Sequence, residues 1–185
     1  MELSNLFTVF HLLGVMLGAG GALASDSMFL KSLKDLKVSK TEMSFLQMGS
    51  AMVWIGLIIL VISGYLLFSL EPDRYLNSDK FLAKMTIVAV ILLNGLFLHI
   101  SLIPRLRRHI GGHLPSSDEF MRKRPYLFTS GAISLVSWLS ALTLGALHKV
   151  PWTYGEITGI YLLTLLTAVL VANIIGRRLI SQTRA

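Results

Sequence analysis

The chain of 185 residues contains no cysteine. That absence excludes disulfide bonds, iron–sulfur clusters, thiolate metal sites and the covalent attachment of a c-type haem. Any metal held by side chains would therefore need His, Met or carboxylate ligands.

Charged residues are also scarce. Only 15% of the residues are charged, whereas 54% are hydrophobic, and a soluble domain carries more charge than this. Five apolar runs account for most of the chain, and each is long enough to cross a bilayer. They lie at about 5–25, 43–70, 81–103, 126–148 and 156–175. We therefore expect an all-α integral membrane protein, with residues 1–185 forming a single five-transmembrane-helix bundle.

The basic residues indicate the orientation of this bundle. Thirteen of the 17 Lys and Arg residues lie in the first and third loops and in the C-terminal tail. The positive-inside rule then places the N-terminus outside and the C-terminus in the cytoplasm. The same residues are better explained as a topology signal than as a nucleic-acid surface. No Lys or Arg precedes the first run, so we interpret it as a mature helix and not as a signal peptide.

Three polar residues interrupt the third run, which extends from Asp79 to Pro104. They are Lys84, Asn94 and His99. Polar groups are costly in lipid and usually face other helices or mark function. Asn94 is a candidate for a hydrogen bond between helices. The structural alternative for Lys84 and His99 is that they reach the headgroups at the two surfaces.

The first run combines a histidine with small residues. His11, Gly14 and Gly18 share one helical face, and the two glycines form a GxxxG pair that permits close helix approach. Ser39 and Glu42 have the spacing of a capping box before the second run. Ser116 and Glu119 have the same spacing within the long third loop, where we expect a short surface helix. The structural alternative for His11 is a hydrogen bond to a neighbouring helix.

Counting along the helices predicts two polar levels. The outer level holds His11 and Lys84, with His148 near the same surface. The inner level holds Asp26 and His99, because each lies fifteen residues beyond its outer partner in a parallel span. We expect Asp26 and His99 to approach each other. His109 and His113 follow in the adjoining loop, where they are expected to be solvated.

Three segments carry a resemblance to a known superfamily. FHLLGVMLGAGGA, AMVWIGLIILVISGYLL and FLAKMTIVAVILLNGLFLH resemble helices of the bacterial CopD/HemJ-like polytopic membrane proteins, over about residues 7–104. The resemblance implies a multi-pass protein of the bacterial cytoplasmic membrane. In the HemJ group it implies haem b binding and porphyrinogen oxidation, and in the CopD group copper handling. Carried over by position, it indicates His11, Lys84 and His99.

The leading hypothesis is a membrane-embedded b-type haem protein with a redox or electron-transfer role. Haem iron needs one or two neutral imidazoles and a pocket with small residues beside the ring. The candidate iron ligands are His11, His99 and His148, with Gly14, Gly18 and Lys84 completing the cofactor site. Expected partners are the lipid bilayer, a porphyrin or quinone, a redox partner and a second copy of the chain, but no nucleic acid.

Two alternatives stay open. One is copper binding or transport through His11, Met16 and other Met side chains. The other is a non-catalytic membrane scaffold. The sequence does not identify catalytic residues, and an enzymatic role as a porphyrinogen oxidoreductase follows only from the resemblance.

Overall fold

The computed structural model describes residues 3–35, 39–102, 118–148 and 150–182, and all regular structure within these ranges is helical. The helices are α1 (Leu3–Asp35), α2 (Lys40–Leu70), α3 (Pro72–Leu76), α4 (Asp79–Phe97), α5 (Asp118–Ala146) and α6 (Tyr154–Gln182). A π-helical turn, Leu98–Leu102, continues α4.

Five of the described helices are long and apolar enough to cross a membrane, which confirms the expected fold class. The candidate spans are Leu3–Lys31, Lys40–Leu70, Asp79–Ser101, Pro125–Ala146 and Tyr154–Arg178. Large apolar side chains cover the outer surface of the bundle; on α6, Leu163 is 68% exposed and Leu170 is 64% exposed. Such a surface is suited to lipid, since lipid tails are as apolar as the side chains.

The fourth span agrees with the sequence prediction, but the helix that contains it begins earlier. We expect the third loop to extend to Pro125, with a short separate helix within it, but α5 begins at Asp118 and continues through Pro125. Proline removes one backbone hydrogen bond inside a helix, and the other turns of α5 persist around that loss. The rest of the loop, with His109, His113 and the capping serine Ser116, lies outside the described residues.

The first predicted capping box is confirmed. The backbone N–H of Ser39 donates to Glu42 Oε2 at 2.8 Å, and the N–H of Glu42 donates to Ser39 Oγ at 3.1 Å. Two N–H groups at the start of α2 therefore have partners, which fixes where this helix begins.

Glycines hold α1 and α2 together. A methyl group added at Gly14 would lie 2.9 Å from the Leu60 backbone nitrogen, and one at Gly21 would lie 2.9 Å from the Gly49 carbonyl oxygen. Gly56 of α2 lies against Gly18 of α1 with equally little space. The predicted close approach is confirmed, because these backbones are in contact where no side chain intervenes.

Polar side chains join the other helices. Asn94 of α4 donates through Nδ2 to the Ser130 carbonyl oxygen at 3.0 Å and accepts through Oδ1 from Ser130 Oγ at 2.7 Å. The interhelical hydrogen bond predicted for Asn94 is confirmed. Ser137 of α5 and Tyr161 of α6 are also bonded, at 2.8 Å between their oxygens. Hydrogen bonds between side chains thus join α4, α5 and α6, whereas close backbone packing is the main contact between α1 and α2.

Candidate functional site

The candidate site centres on His11, which α1 presents to α2. The Nδ1 atom of His11 lies 3.0 Å from Ser63 Oγ. Ser63 is a polar residue in a strongly apolar helix, and it is only 2% exposed. A buried hydroxyl in such a helix must find partners, and His11 is one of them.

The hydrogen bonds of Ser63 determine the tautomer of His11. The Ser63 hydroxyl also lies 2.6 Å from the Ile59 carbonyl oxygen, to which it donates its single proton. It must then accept from His11, so Nδ1 of the neutral imidazole carries the hydrogen. The Nε2 atom keeps its lone pair and has no hydrogen-bond partner among the described residues. A histidine held in this way can bind a metal or accept a proton through Nε2.

The imidazole packs beside Gly64 of α2. A methyl group added at Gly64 would lie 3.5 Å from His11 Cε1, which is ordinary contact distance. Farther along the same pair of helices, at Gly14 and Gly56, the backbones approach too closely to admit a ring. The ring of His11 is therefore positioned where α1 and α2 begin to separate.

Lys84 of α4 is half-buried, and it lies within electrostatic range of His11, so a charge on Lys84 acts on the imidazole. Lys84 has no hydrogen-bond or ion-pair partner in the part of the chain that the structure describes. The structure thus brings together two members of the predicted outer level. An ammonium group beside a metal-competent imidazole suits a ligand that combines a metal with a negative charge.

The space beside Gly14 and Gly18 is filled by protein. Gly14 packs against Leu60 and Gly56 of α2, and Gly18 packs against the ring of Trp138 of α5. The sequence analysis expects a planar cofactor to approach the backbone at these glycines, and that expectation is wrong. Their small size instead serves the contact between α1, α2 and α5.

His99 lies apart from His11. Its side chain is exposed, and its ring meets the edge of Trp54 of α2, with centroids 6.0 Å apart and an interplanar angle of 78°. Asp26 lies instead beside Ser134 of α5. The contact expected between Asp26 and His99 is not formed, because α1 turns Asp26 toward α5 while the π-helical turn places His99 against α2.

His148 lies in a cleft at the end of the bundle where α4 begins. The cleft has a volume of about 420 Å³ and is lined by Ser78, Asp79, Lys80, His148, Val150, Pro151 and Trp152. Lys80 closes one side by donating to the Leu147 carbonyl oxygen. His148 is exposed, and neither a hydrogen bond nor a ring contact joins it to His11. The structure therefore does not bring this candidate second ligand to the His11 imidazole.

A copper centre does not fit the described residues as well as a single-imidazole site does. Among them there is no group of three or more His, Asp or Glu side chains that could hold a metal ion. Met16, the expected partner of His11 in a copper site, is 71% exposed on the surface of α1.

Ser63 is the residue that sequence reasoning missed. The pair Ser63-Gly64 is visible in the second run, but it reads equally well as small residues for helix packing. Only the antiparallel pairing of α1 with α2 brings Ser63 to a histidine that lies 52 residues earlier.

Comparisons with protein-family models, with curated proteins and with solved structures find no match for this chain.

Proposed function

We propose that this chain is a membrane-embedded b-type haem-binding protein with a redox or electron-transfer role. His11 would hold the haem iron through Nε2, and Lys84 would pair with a propionate. The observation that carries the proposal is the Ser63–His11 hydrogen bond, since it fixes the imidazole in the tautomer that an iron ligand needs. Metal-binding histidines characteristically donate their other ring N–H in this way.

The residues fit haem in part. The imidazole and the ammonium group suit an iron and a carboxylate, whereas the face formed by Gly14 and Gly18 offers no room for a porphyrin. The ring would have to contact the bundle outside the glycine face. The described residues place no second imidazole beside His11, so His11 is the one described histidine that would hold the iron.

Haem, when bound, supplies one-electron chemistry at its iron. The protein itself would bind the cofactor and orient its ligand. Ser63 orients His11, Gly64 leaves room for the imidazole ring, and Lys84 offsets negative charge in a region of low dielectric constant, where an unpaired carboxylate is costly.

The proposed setting is a bacterial cytoplasmic membrane, with the N-terminus outside and the C-terminus in the cytoplasm. The distribution of Lys and Arg supports this orientation. His11 and Lys84 then lie in the outer half of the bilayer, where a periplasmic or membrane-bound redox partner, or a quinone, has access. Porphyrinogen oxidation, copper transport and a purely structural role are the alternatives.

An absorption spectrum tests the proposal. The protein, expressed with added haem and purified in detergent, should show a Soret band that His11→Ala abolishes or strongly shifts. His99→Ala and His148→Ala are matched controls, because both remove an imidazole away from Ser63, and both should retain the band. Wild-type protein without porphyrin absorbance after haem supplementation would refute the proposal. Stoichiometric copper in that sample would favour the copper alternative, and the absence of both would favour a scaffold.

A further inference from the structure

A second polar site lies on α1, about four turns beyond His11, at Asp26 and Ser25. Asp26 is a carboxylic acid within a candidate membrane span. An ionisable residue at such a position is costly, and it is retained chiefly where it serves an ion or a proton. This site is separate from the proposed haem site and does not depend on it.

Two oxygen atoms at this site are buried without a partner. Asp26 Oδ2 and Ser25 Oγ have no hydrogen bond within the described part of the chain. The side chain of Ser134 of α5 lies near the carboxyl group, and Ser134 itself is only 8% exposed. Burying a polar atom without a hydrogen bond is energetically unfavourable. We therefore expect each of these oxygen atoms to have a bound ion or a proton as its partner.

The helices around the site bring these atoms into the interior. Ser25 Oγ packs against Gly49 of α2, where any larger side chain would collide with it. Ser134 approaches Asp26 from α5. Ser25 therefore faces α2 and Asp26 faces α5, so both side chains point into the interior of the bundle.

Among the described residues, no cationic side chain pairs with the carboxylate. Lys31, on α1 itself, is exposed, and His99, in the π-helical turn after α4, is turned to Trp54. The ionisable side chains described on α2 and α5 are Glu42, which is bonded to Ser39, and the exposed Lys40, Tyr65 and Tyr126. Asp26 forms no ion pair with any described residue. A buried carboxylate in this setting needs a cation from solution.

We propose that Asp26, together with Ser25 and Ser134, binds a single monovalent cation, either a proton or Na⁺. One carboxylate balances one positive charge, and hydroxyl oxygens are suitable neighbours for either ion. A divalent ion is a poorer match, since it prefers several carboxylates and no group of three or more acidic or histidine side chains is present among the described residues.

Carbodiimide labelling distinguishes the two cations. Dicyclohexylcarbodiimide enters membranes and modifies protonated carboxyl groups, and peptide mass spectrometry locates the product. We expect wild-type protein in lipid nanodiscs to be labelled at Asp26 at mildly acidic pH, and less so as the pH rises. Protection by NaCl, but not by choline chloride, at constant pH identifies Na⁺ as the ligand. Labelling that depends on pH but not on Na⁺ identifies the proton.

Matched variants report on the neighbouring oxygens. Ser25→Ala and Ser134→Ala each remove one hydroxyl and should shift the pH at which half of Asp26 is labelled, or weaken protection by Na⁺. Asp73→Asn, in the exposed helix α3, should leave labelling at Asp26 unchanged. Absence of labelling at Asp26 at every pH, or labelling that responds to neither pH nor Na⁺, would overturn the proposal. Because the label is located in the wild-type chain, this result does not depend on the variants folding.

Discussion

The Nδ1 atom of His11 lies 3.0 Å from Ser63 Oγ, and the proton of that hydroxyl is directed to the Ile59 carbonyl oxygen at 2.6 Å. This chain of hydrogen bonds links two helices and orients an imidazole between them. Packing alone does not explain a serine at position 63, since alanine would fill nearly the same volume. The proposed function rests on this relationship.

Removing the Ser63 hydroxyl should weaken haem binding without deleting the ligand. In Ser63→Ala, the Nδ1–H of His11 loses its acceptor, and the ring is no longer held in one tautomer. Loss of such a supporting group typically lowers metal affinity roughly 10–100-fold, and haem titration of the purified protein measures the change. Ser69→Ala is the matched control, because Ser69 donates only within α2, to the Leu66 carbonyl oxygen. Equal affinities for Ser63→Ala and wild type would contradict the assigned tautomer.

Neutralising Lys84 should weaken haem binding less than removing His11 does. Lys84→Met keeps most of the side-chain volume and deletes the charge next to His11, so a propionate loses its partner. We expect a roughly tenfold or smaller loss of affinity, equivalent to about 1.4 kcal/mol at most. Lys80→Met, one helical turn nearer the start of α4, serves as the control. If Lys80→Met had the larger effect, the propionate would have to be placed in the cleft beside His148.

Adding a methyl group at Gly56 should destabilise the bundle. The new group in Gly56→Ala would lie 2.7 Å from the Gly14 carbonyl oxygen, so α1 and α2 would have to move apart. Such overpacking costs about 1–3 kcal/mol, and thermal unfolding in detergent should show a lower midpoint. Gly20→Ala adds the same methyl group where nothing lies within 4 Å, and it should leave the midpoint unchanged or slightly higher. Equal midpoints for the two variants would argue against the glycine contact.

Removing the hydrogen bonds between Asn94 and Ser130 should weaken the contact between α4 and α5 and so lower the stability of the bundle. Asn94→Leu removes a donor and an acceptor that both engage Ser130, and hydrogen bonds between membrane helices are worth roughly 0.6–2 kcal/mol. A double-mutant cycle with Ser130→Ala, followed by denaturant unfolding in detergent, measures the coupling. Thr164→Val is the control, since Thr164 bonds only to its own helix at Ile160. Strict additivity of Asn94→Leu and Ser130→Ala would mean that the hydrogen bond from Ser130 Oγ to Asn94 Oδ1 contributes no stability.

Cysteine accessibility tests the proposed orientation. Because the chain has no native cysteine, single substitutions give an unambiguous signal. Ser116→Cys and Ser181→Cys should react with an impermeant maleimide only after the cells are permeabilised, whereas Asn77→Cys, in the turn after α3, should react in intact cells. The reverse pattern would invert the topology.

The number of spanning helices follows from the sequence, because length and apolarity are local properties of each run. The capping box at Ser39 and Glu42 is equally local, since both partners lie within one turn. The interhelical role of Asn94 was also predictable, because an amide in lipid has few other ways to satisfy its hydrogen bonds. The glycine pair in the first run similarly indicated a close contact, although not the residues on the other side.

Depth alone was a poor guide to which polar residues meet. Asp26 and His99 have matching positions along parallel helices, yet one faces Ser134 and the other Trp54. Their separation depends on the rotation of α1 about its axis and on the π-helical turn that follows α4. Counting residues along a helix predicts depth, but it predicts neither of these two features.

The sequence by itself determined an all-helical chain with five spanning segments, a face of small residues on α1 and a few polar groups too costly to leave in lipid. Only the tertiary structure decided how these groups are used. In the folded bundle, α2 and Trp138 pack against Gly14 and Gly18, and His11 is hydrogen-bonded to Ser63. Asp26 has a buried oxygen with no hydrogen-bond partner among the described residues. The physical reason is that hydrophobicity and capping act within a segment, whereas the partner of a polar side chain depends on which helices pack together and how each is rotated about its axis.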